Sequence, residues 1–127
     1  MDNMKTKTFF SQFSNEENKD IVVGIIGKDD YRYEVLKPLF EKYGYGFTDT
    51  NIGCVFIDGE VKLNKHELKW VEAHEVAHIL LKHTKDRNDK DELDADTLAY
   101  KLLSENGYDK SAKLVKEHSI ERHGYQI

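Results

Sequence analysis

The stretch Trp70-Val71-Glu72-Ala73-His74-Glu75-Val76-Ala77-His78-Ile79-Leu80-Leu81 decides how this chain is organised. Its apolar residues run round most of a helix circumference, which predicts a buried central helix over 70–81 and not a surface one. His74 and His78 are four residues apart, so at about 100° per residue both imidazoles leave one face, a turn apart, and reach one metal ion. Glu75 is turned aside from that pair. The HExxH pattern puts its carboxylate beside an open metal position, where it takes a proton from water instead of ligating. Buried imidazoles have two ring nitrogens to satisfy, and a metal on one with an acceptor on the other does so. Two core histidines with ordinary partners are the competing reading, because so short a pattern also arises by chance.

Catalytic zinc takes three protein ligands and leaves a fourth position open, so a third donor is needed. Residues 91–103, DELDADTLAYKLL, read as a second helix. With Glu92 as origin, Asp96, Ala99, Leu103 and Ala95 fall within roughly 60° of it, and both acids join an apolar stripe. A carboxylate there is costly unless paired or metal-bound. Asp94 falls nearly opposite, beside Thr97 and Lys101, on the solvated side. Glu92, with the longer reach, is the expected third ligand, and Asp96 one turn on accepts the free ring N–H of a ligating histidine. The reverse assignment stays open, because spacing alone does not fix which carboxylate touches the metal.

HEVAHILLKH followed by ELDADTLAYKLL resembles the ImmA/IrrE group of small cytoplasmic zinc metallopeptidases and the wider gluzincin arrangement, over about Trp70 to Leu103. The resemblance implies His74, His78 and Glu92 as ligands, Glu75 as general base and Asp96 as the carboxylate behind a histidine. It also implies a regulatory protein such as a repressor as substrate. Asp94 and Tyr100 depart from the group's pattern without removing a ligand.

The resulting expectation is an α+β, zincin-like domain over 20–127, after a flexible N-terminal segment over 1–19. A short twisted sheet packs on the HExxH helix and the helix after it, with a further helix at the C-terminus. Ile21–Ile26 reads as a buried strand, and Tyr31–Tyr43 as an amphipathic helix that ends at Gly44 and is kinked or split by Pro38. Gly53–Ile57 and Glu60–Asn64, joined by Asp58-Gly59, read as a hairpin just before the zinc helix. One of its strands is the candidate support for an extended peptide, a role that a strand merely completing the sheet would not have. Asp109 is the expected cap of a last helix reaching about Arg122. Thr84–Asp91 reads as an exposed charged connector.

For the donor that stabilises an oxyanion, His118, His123, Tyr100 and Tyr125 are available. His118 leads because it points with the apolar stripe of its helix, against the plainer reading of a core histidine. His83 is read as a surface residue on another face of the helix, with help to a second metal as the alternative. Cys54, the one cysteine, excludes an internal disulfide and reads as a packing thiol in a strand. The net charge of −5 is spread over mixed-sign segments without a basic stripe, which argues against nucleic acid as partner. No segment has membrane-spanning length or a signal-peptide core, so a cytoplasmic protein is expected, with a phage or virion location as an alternative. The function that follows is zinc-dependent hydrolysis of a protein or peptide substrate, with one zinc per chain; the same donors also suit nickel, iron or cobalt. The competing class is a non-catalytic zinc-binding module or virion component, and a third is a metal-free interaction protein.

Overall fold

The computed structural model describes residues 6–17, 19–84 and 86–124, and of residues 122 and 123 the backbone alone. The elements in chain order are β1 (Lys7–Phe10), β2 (Val22–Ile26), α1 (Tyr33–Tyr43), β3 (Gly46–Asp49), β4 (Cys54–Asp58), α2 (Lys65–Leu80), α3 (Asp89–Glu105) and α4 (Asp109–His123). The strands form one mixed sheet in the order β1-β2-β4-β3, with β2 and β4 parallel and the outer pairs antiparallel. The α+β expectation holds.

Strand alternation sends side chains to two separate cores. Val23, Ile25, Val55 and Ile57 face the side covered by α2, α3 and α4, while Ile26, Phe47 and Phe56 face α1 through Tyr33 and Phe40. Pro38 lies within α1 without dividing it. The backbone donor it lacks would have met the carbonyl of Glu34, and both residues are exposed. Gly44, at a φ of 97°, ends the helix with its N–H on the carbonyl of Phe40.

The hairpin across Asp58-Gly59 does not form. Both edges of β4 are already occupied, by β2 and by β3, so residues 60–64 have no strand to pair with. β4's hairpin partner is instead β3, across residues 50–53. Gly59 passes against β2: its N–H donates to the carbonyl of Ile26 at 2.8 Å, and a Cβ there would lie 2.8 Å from the same oxygen. The stretch after it carries Asn64, which caps α2 in a reciprocal box with Glu67, so that helix begins five residues before Trp70.

The described residues before residue 20 enter the fold. β1 pairs along β2, Phe13 is buried in the larger core, and the buried Ser11 hydroxyl donates to Glu72 of α2 at 2.6 Å. Lys69 closes on the same carboxylate at 3.0 Å. α4 runs close to its expected length, but Tyr108 occupies the cap position and Asp109 is the first helical residue, with no side-chain cap bond.

Candidate metal centre

α2 is buried on nearly every side, and it carries His74 and His78 one turn apart. α3 packs beside it after a connector of eight residues, 81–88, and is started by a second reciprocal box between Asn88 and Asp91. These two helices bring three donors together. His74 Nε2 lies 3.2 Å from His78 Nε2, and each lies 3.3 Å from the same Glu92 oxygen. Among the described residues, His74, His78 and Glu92 are the one group of histidine, cysteine and acidic side chains with metal-ligand spacing.

The near-equilateral triangle fits a particular ion geometry. A tetrahedral zinc with bonds of about 2.0–2.1 Å has ligand atoms about 3.3–3.4 Å apart, so three donors at these separations match one face of the tetrahedron. The cleft on the open side of that face has a volume of about 320 Å³ and is lined by Glu75, Trp70, Tyr43, Tyr45, Arg87 and His118 together with His74 and Glu92.

Electrostatics without an ion follow from the same distances. Burial opposes a charge on His74, but Asp96, 2.8 Å from its Nδ1, and Glu92 at Nε2 outweigh it and hold the pKa up at about 9. His78, fully buried, is pushed down, first by burial and then by the neighbouring His74 charge. Burial raises Glu92, yet its contacts with the two histidines hold the carboxyl far below the usual range.

Glu92 is at the donor triangle, while Asp96, 1% exposed, stands behind His74 at the other ring nitrogen. Glu75 is buried in the cleft wall and outside the triangle. Asp94 pairs with Lys90 at 2.9 Å on the outer side of α3, as its helical phase predicts. His118 lies in the cleft wall, stacked on Trp70 with ring centroids 4.1 Å apart. Tyr100 packs against the larger core, with Lys116 over its ring. Tyr125 is outside the described residues, and His123 is known only by its backbone at the end of α4. Cys54 is half-buried, not enclosed, and burial raises its thiol pKa.

Two site residues escape sequence reasoning. Thr48, on β3, has its hydroxyl 2.6 Å from a Glu75 carboxylate oxygen and 3.1 Å from the Glu75 carbonyl. Its placement depends on Gly46, where a Cβ would meet Val71 of α2 at 3.2 Å and the Phe56 carbonyl at 2.8 Å. Two strand residues advance about 6.8 Å and four helix residues about 6 Å, so contact of Gly46 with Val71 sets Thr48 against Glu75. His83, expected on the surface, is largely covered: its Nδ1 lies 2.9 Å from His78 Nδ1 and its ring is 10% exposed. The helical phase that placed it outside does not apply, because α2 ends at Leu80 and the chain turns back at Lys82, φ 60°.

No family model, no curated protein and no solved structure matches this chain.

Proposed function

We propose that this protein is a zinc-dependent metallopeptidase acting on a protein or peptide substrate. The observation that carries the reading is the triangle of His74, His78 and Glu92 open to a cleft whose wall includes the non-ligating carboxylate of Glu75. A structural zinc site is closed by a fourth protein ligand, and the described residues supply three. The resemblance carried by HEVAHILLKH and ELDADTLAYKLL points the same way.

Zinc held by these three side chains supplies Lewis-acid chemistry, lowering the pKa of water and polarising a carbonyl. Glu75 takes the proton of the attacking water and returns it to the leaving amine. Thr48 orients that carboxylate from the strand beside it. β3 is one edge of the sheet, so its outer backbone groups are the support for an extended substrate, which adds as a further strand. His118 is assigned to the developing oxyanion, with Trp70 holding its ring plane.

The deciding experiment is Glu75→Gln. The variant is expected to bind one zinc as wild type does and to lose cleavage of unfolded proteins or a peptide library. Wild-type protein that binds stoichiometric zinc and cleaves none of these would overturn the catalytic reading in favour of a non-catalytic zinc module. Wild-type protein that binds no metal would overturn both.

A further inference from the structure

The geometry points to His83 and Asp91 as positioning residues for the ligand His78, an assignment that rests on the metal reading above. A histidine that ligates through Nε2 is neutral and carries its proton on Nδ1. His78 is fully buried, so that N–H needs a protein acceptor. The group in reach is His83 Nδ1, 2.9 Å away. Two ring nitrogens share a hydrogen bond only when one is protonated and the other bare, so His83 accepts at Nδ1 and keeps its own proton at Nε2. That N–H faces Asp91 Oδ1 at 3.6 Å. The separation is long for a direct hydrogen bond, and Asp91 acts there as a negative charge, 28% exposed beside a ring 10% exposed. Proton placement is thus set in one direction, from Asp91 through His83 to His78.

The backbone explains why His83 is in reach. Lys82 N–H donates to the carbonyl of Ile79 and His83 N–H to that of His78, the paired bonds of a helix end with a left-handed residue at Lys82. In that motif the second residue past the helix comes to rest over the third residue from its end, a contact usually made by two apolar side chains. Here the pair is His83 and His78, and Thr50 fixes the turn by donating its hydroxyl to the His83 carbonyl at 2.9 Å. Asp91 is held separately: its other oxygen accepts the Asn88 N–H at 3.3 Å in the box that starts α3. The chain His78–His83–Asp91 therefore joins the end of one ligand-bearing helix to the start of the other, one residue before Glu92.

The test is zinc affinity, measured by competition with a chromophoric chelator, together with the visible spectrum of the cobalt-substituted protein. His83→Phe keeps the ring volume and removes the acceptor; it is expected to weaken zinc about tenfold or more and to change the cobalt band, in the usual range for losing a partner of a ligating histidine. His83→Asn restores an acceptor oxygen and is expected to recover affinity to within about threefold of wild type. A merely structural role would not make the small polar substitution the better one. If both variants bind zinc as wild type does, or both lose it equally, the assignment is wrong. Should His83→Phe fail to fold, Asp91→Asn decides, since the amide still accepts from Asn88 but carries no charge: weaker zinc binding supports the chain and unchanged binding overturns it. Wild-type protein without zinc affinity would remove the metal reading itself, an outcome distinct from normal zinc binding in every variant.

Discussion

Zinc binding should tighten about fiftyfold between pH 7 and about 9, because the metal-free site holds a proton where the metal goes. In that site His74 is charged, with its pKa at about 9, despite a burial that opposes the charge. The ion needs Nε2 bare, so near neutrality it displaces a proton held about two units above the ambient pH. At about 1.36 kcal/mol per unit the competition at pH 7 costs about 2.7 kcal/mol, a factor of about 100, and it falls to a factor of about 2 as pH reaches the His74 pKa. His78 adds nothing to the slope, since its pKa is already lowered. Chelator-competition titrations across this range give the slope, and an indicator dye counts the proton released, about one per zinc near neutrality. Zinc affinity that stays flat over the range, with no proton released, would refute this account of His74. The sign for folding runs the other way. The raised His74 pKa stabilises the metal-free fold fully below its ordinary 6.5, and that stabilisation is lost as pH rises through about 9. The depressed Glu92 carboxyl stabilises above its ordinary 4.5 and loses this as pH falls. His78, whose pKa is lowered by burial, costs stability as pH falls below its ordinary 6.5, so the metal-free protein should melt highest near pH 6.5 and less on either side.

Glu92→Ala should abolish stoichiometric zinc binding, whereas Asp96→Asn should retain it at about 10–100-fold lower affinity, both read by metal analysis and competition titration; the opposite ranking would make Asp96 the ligand. Thr48→Val removes the hydroxyl 2.6 Å from Glu75. Losing a hydrogen bond to a charged group, about 1.5–3 kcal/mol, should lower kcat by about 10–100-fold with KM nearly unchanged in a peptide-cleavage assay. Gly46→Ala would set a Cβ 2.8 Å from the Phe56 carbonyl and 3.2 Å from Val71. Overpacking of this kind costs about 1–3 kcal/mol, to be read as a lower midpoint in thermal or urea unfolding.

What the sequence made legible is what helix periodicity carries. His74, Glu75, His78, Glu92 and Asp96 lie on long, regular helices, where a rotation of about 100° per residue predicts each side chain's direction well enough to separate the inward acids from Asp94. The failures share a different cause, dependence on contacts distant in sequence. Asp58-Gly59 is a strong local turn signal, but the glycine serves the close approach to Ile26, and β4 has both edges filled by strands from elsewhere in the chain. β3 and β1 are four residues each, too short for alternation to distinguish them from loop. His83 lies past the end of α2 at Leu80, where the helical phase that points it to solvent no longer applies. The sequence gives little warning of that end, because Lys82 stands at the left-handed position where glycine is usual.

β3 is the least legible element and the one on which the proposed chemistry most depends. Three of its four residues have separate duties: Gly46 admits α2, Phe47 packs toward α1 against Phe40 and Phe56, and Thr48 holds Glu75. Thr48 and Phe47 point to opposite faces because the strand alternates, so Glu75, the proposed general base, is tied to the smaller core through one residue of backbone. The strand's outer edge is the proposed substrate support, which places the peptide and the base on one rigid element. A substrate misaligned along that edge would be misaligned with Glu75 as well, and proteolysis by such a site should depend on backbone extension over several residues more than on any one side chain. Substituting an N-methylated residue on the substrate side of β3 should then cost more cleavage than changing the side chain at the same position, measured as kcat/KM on matched peptides. Equal losses would detach the edge strand from substrate binding and leave it with Glu75 alone.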